Sequence, residues 1–169
     1  SNPHLMQKKE VYILTGTIHS GKSSTLAKWC NTRNDVFGIL SPVENDKRFF
    51  QDISNGEKFP MEAGPEEIST IPIGKFKFSM SAFSKAVEII AGSAYNKNGW
   101  LVIDEIGPLE LSGRGFDEVL KEVLQASPSN MKIILVVRDT IKDDVIHRYS
   151  LSDHLIKEVN FLSGQDALV

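Results

Sequence analysis

Apolar residues along the chain fall into short continuous runs, which alternate with longer stretches of mixed apolar and polar character. The short runs are rich in branched and aromatic side chains, a composition typical of strands buried on both faces. Such strands are predicted at 11–14, 36–40, 100–104 and 132–137. A less apolar stretch predicts a last strand at 155–159.

Between these runs, apolar residues recur three or four positions apart, which is the spacing of one face of a helix. Helices are predicted at about 22–32, 82–95, 115–126 and 141–149. Ser79 or Ser81 can cap the second helix, because a serine hydroxyl accepts a hydrogen bond from a free N–H at a helix start. Strands that alternate with helices predict an α/β fold, with a mostly parallel central sheet and helices on both faces.

One insertion interrupts this alternation, within residues 44–61. Two strand-like stretches, 48–53 and 58–61, flank an Asn-Gly pair, the strongest short signal for a hairpin turn. Pro60 has no N–H to donate, so its strand is expected at a sheet edge. The acidic stretch 62–72 is predicted to be a loop. Lysines alternate with phenylalanines in 74–79, which predicts a strand with one face in water.

Length and composition limit the class of protein. The 169 residues are expected to form a single domain, 1–169, in which residues 1–5 are an expression-vector remnant or a disordered start. The net charge of −3 lacks the basic excess of a nucleic-acid binder, and no apolar run approaches a membrane span. No signal peptide is visible, so we expect a cytoplasmic protein with neither nucleic acid nor membrane as partner. The single cysteine, Cys30, is expected to be a packing residue.

A glycine-containing loop lies between the first strand and the first helix, with the spacing Gly16-x-x-x-x-Gly21-Lys22-Ser23 of a P-loop. Glycines allow backbone N–H groups to turn inward around phosphate, and the helix N-terminus adds partial positive charge. Lys22 can reach the outer phosphates, and the Ser23 hydroxyl can hold Mg²⁺. The residues expected to bind nucleotide are Gly16, Thr17, Ile18, His19, Ser20, Gly21, Lys22, Ser23 and Ser24.

A pair of carboxylates, Asp104 and Glu105, follows the third buried strand. A carboxylate at the end of such a strand is the Walker B arrangement, so Asp104 is expected to hold Mg²⁺ together with Ser23. Glu105 comes just past the strand, where it can accept a proton from an attacking water. Ligands of doubly wound sheets bind at the carboxyl ends of the strands, where Lys22 should join these groups.

Cations near the transferred phosphate contribute strongly to catalysis. Three arginines are candidates: Arg48 in the hairpin, Arg114 in a glycine-flanked loop and Arg138 at the end of the fourth strand. Arg138 is favoured, because its strand should end at the same edge of the sheet as the P-loop. An ion pair between Arg138 and either Asp139 or Asp143 is the alternative interpretation.

The octapeptide Asp104-Glu-Ile-Gly-Pro-Leu-Glu-Leu resembles a signature of the small P-loop nucleoside-triphosphatases first described from thermophiles, which include the cancer-related nucleoside-triphosphatase. The P-loop and the segments 37–61, 112–116 and 136–139 are similar too. The resemblance implies a P-loop NTPase fold and Mg²⁺-dependent hydrolysis of nucleoside triphosphates to diphosphate and phosphate, with broad base preference. It gives no role for Glu110, which could orient Lys22 or a loop, or be exposed.

Other classes of function share the P-loop. A kinase of a nucleoside or small metabolite would need an acceptor pocket and usually an arginine-rich lid, of which the sequence shows no sign. A nucleotide-dependent binding module would hydrolyse nucleotide slowly without a protein partner, and the sequence does not identify such a partner. Glu105, directly after the Walker B aspartate, favours water as the nucleophile and hence an enzyme that hydrolyses nucleoside triphosphates.

Overall fold

A computed structural model describes residues 8–15, 22–96, 98–126 and 130–159 of the chain, with backbone only for 22–24. The strands are β1 Glu10–Leu14, β2 Val36–Leu40, β3 Val43–Glu44, β4 Lys47–Asp52, β5 Lys58–Pro60, β6 Thr70–Ile73, β7 Phe76–Ser79, β8 Trp100–Asp104, β9 Lys132–Val136 and β10 Leu155–Val159. The helices are α1 Lys22–Asn31, α2 Met80–Ser93, α3 Pro108–Leu111, α4 Asp117–Gln125 and α5 Lys142–Arg148. None of these helices is long and apolar enough to cross a membrane.

The main sheet of the described chain has eight strands, in the order β10-β1-β9-β8-β2-β4-β3, with β5 also paired to β4. The first five of these strands run parallel, and the strands of the insertion are antiparallel. The parallel core and the inserted hairpin confirm the predicted α/β fold. The order places β9 between β1, which precedes the predicted P-loop, and β8, which ends in Asp104.

Helices cover both faces of the sheet, as predicted. On one face, α1 packs Leu26 and Cys30 against a cluster that includes Tyr12 and Trp100. Cys30 is buried there, and burial raises the pKa of its thiol to about 12, which fits a packing role. On the other face, α2, α4 and α5 cover alternate residues of the same strands. The central strands are therefore apolar on both faces, which explains their continuous apolar runs.

The structure differs from the sequence prediction in the acidic segment. Part of the predicted loop 62–72 forms β6, which pairs antiparallel with β7 in a separate two-stranded sheet. The side chain of Ile71 is buried, which gives this strand an anchor. Glu67 accepts hydrogen bonds from the hydroxyls of Ser79 (2.5 Å) and Ser81 (3.0 Å). Of the two predicted caps of α2, Ser79 is the one used, because it accepts from the N–H of the third helical residue.

Candidate active site

The carboxyl ends of β1, β9 and β8 lie level with one another. Leu14 and Asp104 both pair with Val136, one from each side. Past the strand ends, the N–H of Val137 donates to the carbonyl of Leu14 (3.0 Å), and the N–H of Ile106 donates to the carbonyl of Val136 (2.9 Å). The three segments that carry the predicted catalytic residues therefore begin side by side.

Two of the predicted catalytic side chains meet at this edge. Arg138 Nη2 lies 3.6 Å from Glu105 Oε1, and the two side chains are 38% and 32% exposed. Within the described residues, Arg138 pairs with Glu105, and the predicted alternative of a pair with Asp139 or Asp143 does not form. An exposed pair at this distance contributes little to stability. Both groups are therefore accessible to a ligand at the strand ends.

The predicted metal ligand Asp104 is almost fully buried at the end of β8. Its Oδ2 accepts a hydrogen bond from the N–H of Ser41 (3.1 Å), and the Ser41 hydroxyl donates to the carbonyl of Asp104. Ser41 thus links the end of β2 to Asp104, the predicted metal ligand. Sequence reasoning missed this contact, because the only signal was a Ser-Pro pair that marked the end of a strand.

The glycine motif lies largely outside the described residues. The predicted order of strand, loop and helix is confirmed at its borders, since β1 ends at Leu14 and α1 begins at Lys22. Residues 16–21 and the side chains of residues 22–24 fall outside the description. The nucleotide contacts expected from Gly16 to Ser24 therefore remain predictions.

The other two candidate arginines are placed elsewhere. The guanidinium of Arg48 in β4 lies 5.2 Å from the ring centre of Phe76 in β7. Arg114 is exposed in the turn between α3 and α4. In the part of the chain that the structure covers, Arg138 is the candidate that pairs with Glu105.

Two buried carboxylates lie in and after the family-like octapeptide, and sequence reasoning assigned neither. Glu110 is 3% exposed, which excludes the predicted possibility of an exposed side chain. It accepts hydrogen bonds from the N–H groups of Gly107 (2.7 Å) and Phe116 (3.0 Å). Burial raises the pKa of its carboxyl to about 7, although these hydrogen bonds act in the opposite direction.

Asp117, the second buried carboxylate, has a cationic partner. Arg148 donates to both of its carboxylate oxygens (2.8 and 3.1 Å), and the hydroxyl of Tyr149 donates to one of them (2.7 Å). The Arg148 guanidinium holds the pKa of the Asp117 carboxyl down at about 2. This cluster joins α4 to α5 and is structural in character.

A cleft of about 460 Å³ lies at the opposite end of the parallel strands, at the amino ends of β1, β8 and β9. Its lining includes Arg33, which is paired with Asp35 at 2.8 Å, and Lys132, whose ammonium lies 4.8 Å from the ring centre of Trp100. Ligands of such sheets bind at the carboxyl ends of the strands, so this cleft is not the candidate active site.

Comparison with known proteins agrees with this geometry. Residues 11–161 match the sequence profile of a family described as NTPase. The chain therefore belongs to this NTPase family, and its general activity is the hydrolysis of nucleoside triphosphates. A search of curated proteins finds no significant match.

Two solved structures share the fold. THEP1 from the hyperthermophile Aquifex aeolicus has a TM-score of 0.67 at 15% identity, over 91% of this chain and 95% of that chain. A human cancer-related nucleoside triphosphatase has a TM-score of 0.62 at 16% identity, over 92% of this chain and 94% of that chain. At these identities, the likeness establishes the shared fold and leaves the roles of individual residues to the site itself.

Proposed function

We propose that this protein hydrolyses nucleoside 5′-triphosphates, ATP and GTP among them, to diphosphate and phosphate, with Mg²⁺ and with Glu105 as the group that activates water. The observation that carries the proposal is the Glu105–Arg138 pair at the level ends of β8 and β9. In the sequence, the P-loop motif follows β1, the strand that pairs with β9. A base and a cation therefore lie next to the place where the motif would hold the phosphates.

The proposed reaction needs one proton acceptor and several positive groups. The oxygen of a water attacks the γ-phosphorus, and the bond from that phosphorus to the bridging oxygen breaks. Glu105 orients the water and accepts its proton, while the nucleoside diphosphate leaves with the bridging oxygen. Lys22, Arg138 and the backbone N–H groups of the glycine motif offset the negative charge that builds on the phosphate oxygens.

Mg²⁺ suits the donors available at this edge of the sheet. Within the ranges that the structure covers, no three His, Cys, Asp or Glu side chains gather into a metal cage. Mg²⁺ does not need such a cage, because it commonly takes one or two protein oxygens and completes its shell with phosphates and water. The Asp104 carboxylate and the Ser23 hydroxyl would hold it, and the ion would supply charge neutralisation at the phosphates.

The carboxylate of Glu105 and the guanidinium of Arg138 neutralise each other in the nucleotide-free protein. When a triphosphate binds, its γ-phosphate competes for the guanidinium, because charge-assisted bonds from arginine to phosphate are strong. Glu105 then loses its partner and becomes available to water. Family membership favours this hydrolytic reaction over a metabolite kinase and over a nucleotide-dependent binding module.

The test is phosphate release from ATP, GTP, CTP and UTP, with no acceptor present, in Mg²⁺ and in EDTA. We expect turnover of several triphosphates in Mg²⁺, loss of turnover in EDTA and recovery when Mg²⁺ returns. Lys22→Ala should abolish turnover and weaken nucleotide binding, because it removes the charge on the outer phosphates. Tight binding without acceptor-free turnover in the wild type would contradict the proposal and favour a kinase or a binding module.

A further inference from the structure

Glu110 is a buried acid without an ion pair among the described residues. Its carboxylate accepts two main-chain hydrogen bonds, from Gly107 and from Phe116, nine residues further along the chain. One oxygen serves each donor: Oε1 accepts from Gly107 and Oε2 from Phe116. The side chain therefore closes the segment 107–116 into a compact loop that contains α3.

The loop is built closely around this carboxylate. Gly115 has a φ of +61°, and a Cβ at this position would collide with Glu110 Oε2. Only glycine combines that conformation with that approach at low cost. Within the loop, the N–H of Gly113 also donates to the main-chain carbonyl of Glu110 (3.0 Å).

The same loop begins two positions after the residue that the proposed mechanism needs. Gly107 follows Glu105 by two positions, and Glu105 Cγ lies 3.9 Å from the place that a Cβ on Gly107 would occupy. Three contacts fix the turn from Asp104 to Gly107. The Ser41 hydroxyl donates to the carbonyl of Asp104, and the N–H of Ile106 donates to the carbonyl of Val136. The N–H of Gly107 donates to the Glu110 carboxylate.

Stability alone does not account for a carboxylate at this place. A buried carboxylate without a cation pays a desolvation penalty that two hydrogen bonds offset only in part, and well-packed apolar residues often replace buried charges without loss. Costly groups of this kind are concentrated at functional sites, where they fix the geometry of a neighbouring group.

We propose that Glu110 is a positioning residue of the hydrolytic site, whose two carboxylate oxygens hold the turn that carries Glu105 in place for the attacking water. This inference rests on the proposed role of Glu105. Glu110 does not touch the nucleotide or the water, and acts on turnover only through the placement of the Glu105 side chain.

The first variant is Glu110→Gln, which keeps the size of the side chain and leaves one acceptor oxygen for two N–H donors. We expect kcat to fall about tenfold to a hundredfold, because a displacement of about an ångström in a reacting group has an effect of this size. The dissociation constant for Mg–nucleotide, measured with a non-hydrolysable analogue, should stay within about twofold of the wild type.

A second variant displaces the same carboxylate without changing its charge, and a third variant is its control. Gly115→Ala should push Glu110 Oε2 away from Phe116, whereas a Cβ at Gly113, which also has positive φ (+84°), meets no atom closer than 3.6 Å. Both alanines carry similar backbone strain, so Gly113→Ala is the matched control. Gly115→Ala should lower kcat, and Gly113→Ala should lower the melting temperature with kcat retained.

The decisive step repeats Glu110→Gln in a Glu105→Gln background. If Glu110 acts through Glu105, the second substitution has no further effect on kcat there, because the group that it positions is already lost. An equal loss in both backgrounds would overturn the proposal, since it would indicate a general structural effect. Normal kcat in Glu110→Gln beside an inactive Glu105→Gln would overturn it as well. Normal turnover by Glu105→Gln itself would instead remove the proposed function of Glu105.

Discussion

Two arginine–carboxylate pairs in this protein differ in contact distance and in the burial of the carboxylate. Arg138 and Glu105 approach to 3.6 Å at the open end of the sheet, and about a third of each side chain is exposed. Arg148 donates two hydrogen bonds to Asp117, whose side chain is only 5% exposed, and Tyr149 adds a third. The first pair is long and both of its side chains are partly exposed, whereas the second is short and its carboxylate is buried, with Arg148 itself 30% exposed.

The difference shows which of the two pairs can take part in chemistry. A buried bidentate pair uses both carboxylate oxygens and stabilises the fold, because separating it would leave a charge without a partner. An exposed pair contributes little, so a phosphate can replace one member of it at low cost. This contrast supports the proposed catalytic roles of Glu105 and Arg138, and a structural role for Asp117 and Arg148.

The largest effect expected within this comparison is on turnover. Arg138→Ala should lower kcat for phosphate release about 10²–10³-fold, the usual loss when one donor to developing transition-state charge is removed. Steady-state phosphate release measures it, with nucleotide binding as a second readout. The control is Arg33→Ala, which breaks another exposed arginine–carboxylate pair, with Asp35, at the opposite end of the parallel strands. Unchanged kcat in Arg138→Ala would place Arg138 with the structural pairs.

The next effect is on stability. Asp117→Asn should lower the free energy of unfolding by about 2–3 kcal/mol, because it removes the charge that faces Arg148 and weakens the Tyr149 contact. Urea denaturation measures this change. Lys121→Ala, which removes a partner 3.3 Å away that is about half exposed, is the matched control and should cost less than about 0.5 kcal/mol. A loss no larger than that of the control would show that the buried pair is not the stronger one.

The pH dependence of stability should separate the two buried acids. The pKa of Asp117 is lowered from 3.8 to about 2, so its contribution is complete above pH 3.8 and is lost as the pH falls through about 2. The loss is about 2 kcal/mol and should disappear in Asp117→Asn. The pKa of Glu110 is raised from 4.5 to about 7, so its ionisation makes the fold less stable as the pH rises between these values.

Denaturation midpoints between pH 2 and pH 8 test both slopes. Glu110→Gln should remove the decline in stability between pH 4.5 and pH 7, and the loss of stability below pH 3.8 should remain. The opposite assignment, in which Asp117→Asn flattens the neutral range, would contradict the account of how each carboxylate is held.

The smallest expected effect is that of the same substitution, Arg138→Ala, on stability. Arg138→Ala should change the free energy of unfolding by less than about 0.5 kcal/mol, because its pair with Glu105 is long and exposed. Denaturation in urea without nucleotide is the measurement. A loss of about 2 kcal/mol or more would make the Glu105–Arg138 pair structural and erase its contrast with the buried pair.

Much of this arrangement could be predicted from the sequence, because parallel strands place their carboxyl ends at one edge. The apolar runs predicted β1, β8 and β9. The rule that parallel strands end on the same side then predicted that Glu105 and Arg138 lie close together. The roles of Ser41 and Glu110 could not be predicted. Ser41 contacts a residue 63 positions away, and the burial of Glu110 depends on how a short loop closes. Neither the Ser41 contact nor the burial of Glu110 produces a periodic or compositional signal in the sequence.

The central claim is that Glu105 activates the attacking water, and a single-turnover experiment tests it most directly. Enzyme in excess over Mg–ATP, with no acceptor present, is compared between the wild type and Glu105→Gln, which keeps the size of the side chain and removes its basicity. We predict unchanged nucleotide affinity and a rate of phosphate formation about 10²–10⁴-fold lower in the variant. Phosphate formation at the wild-type rate by Glu105→Gln would contradict the account.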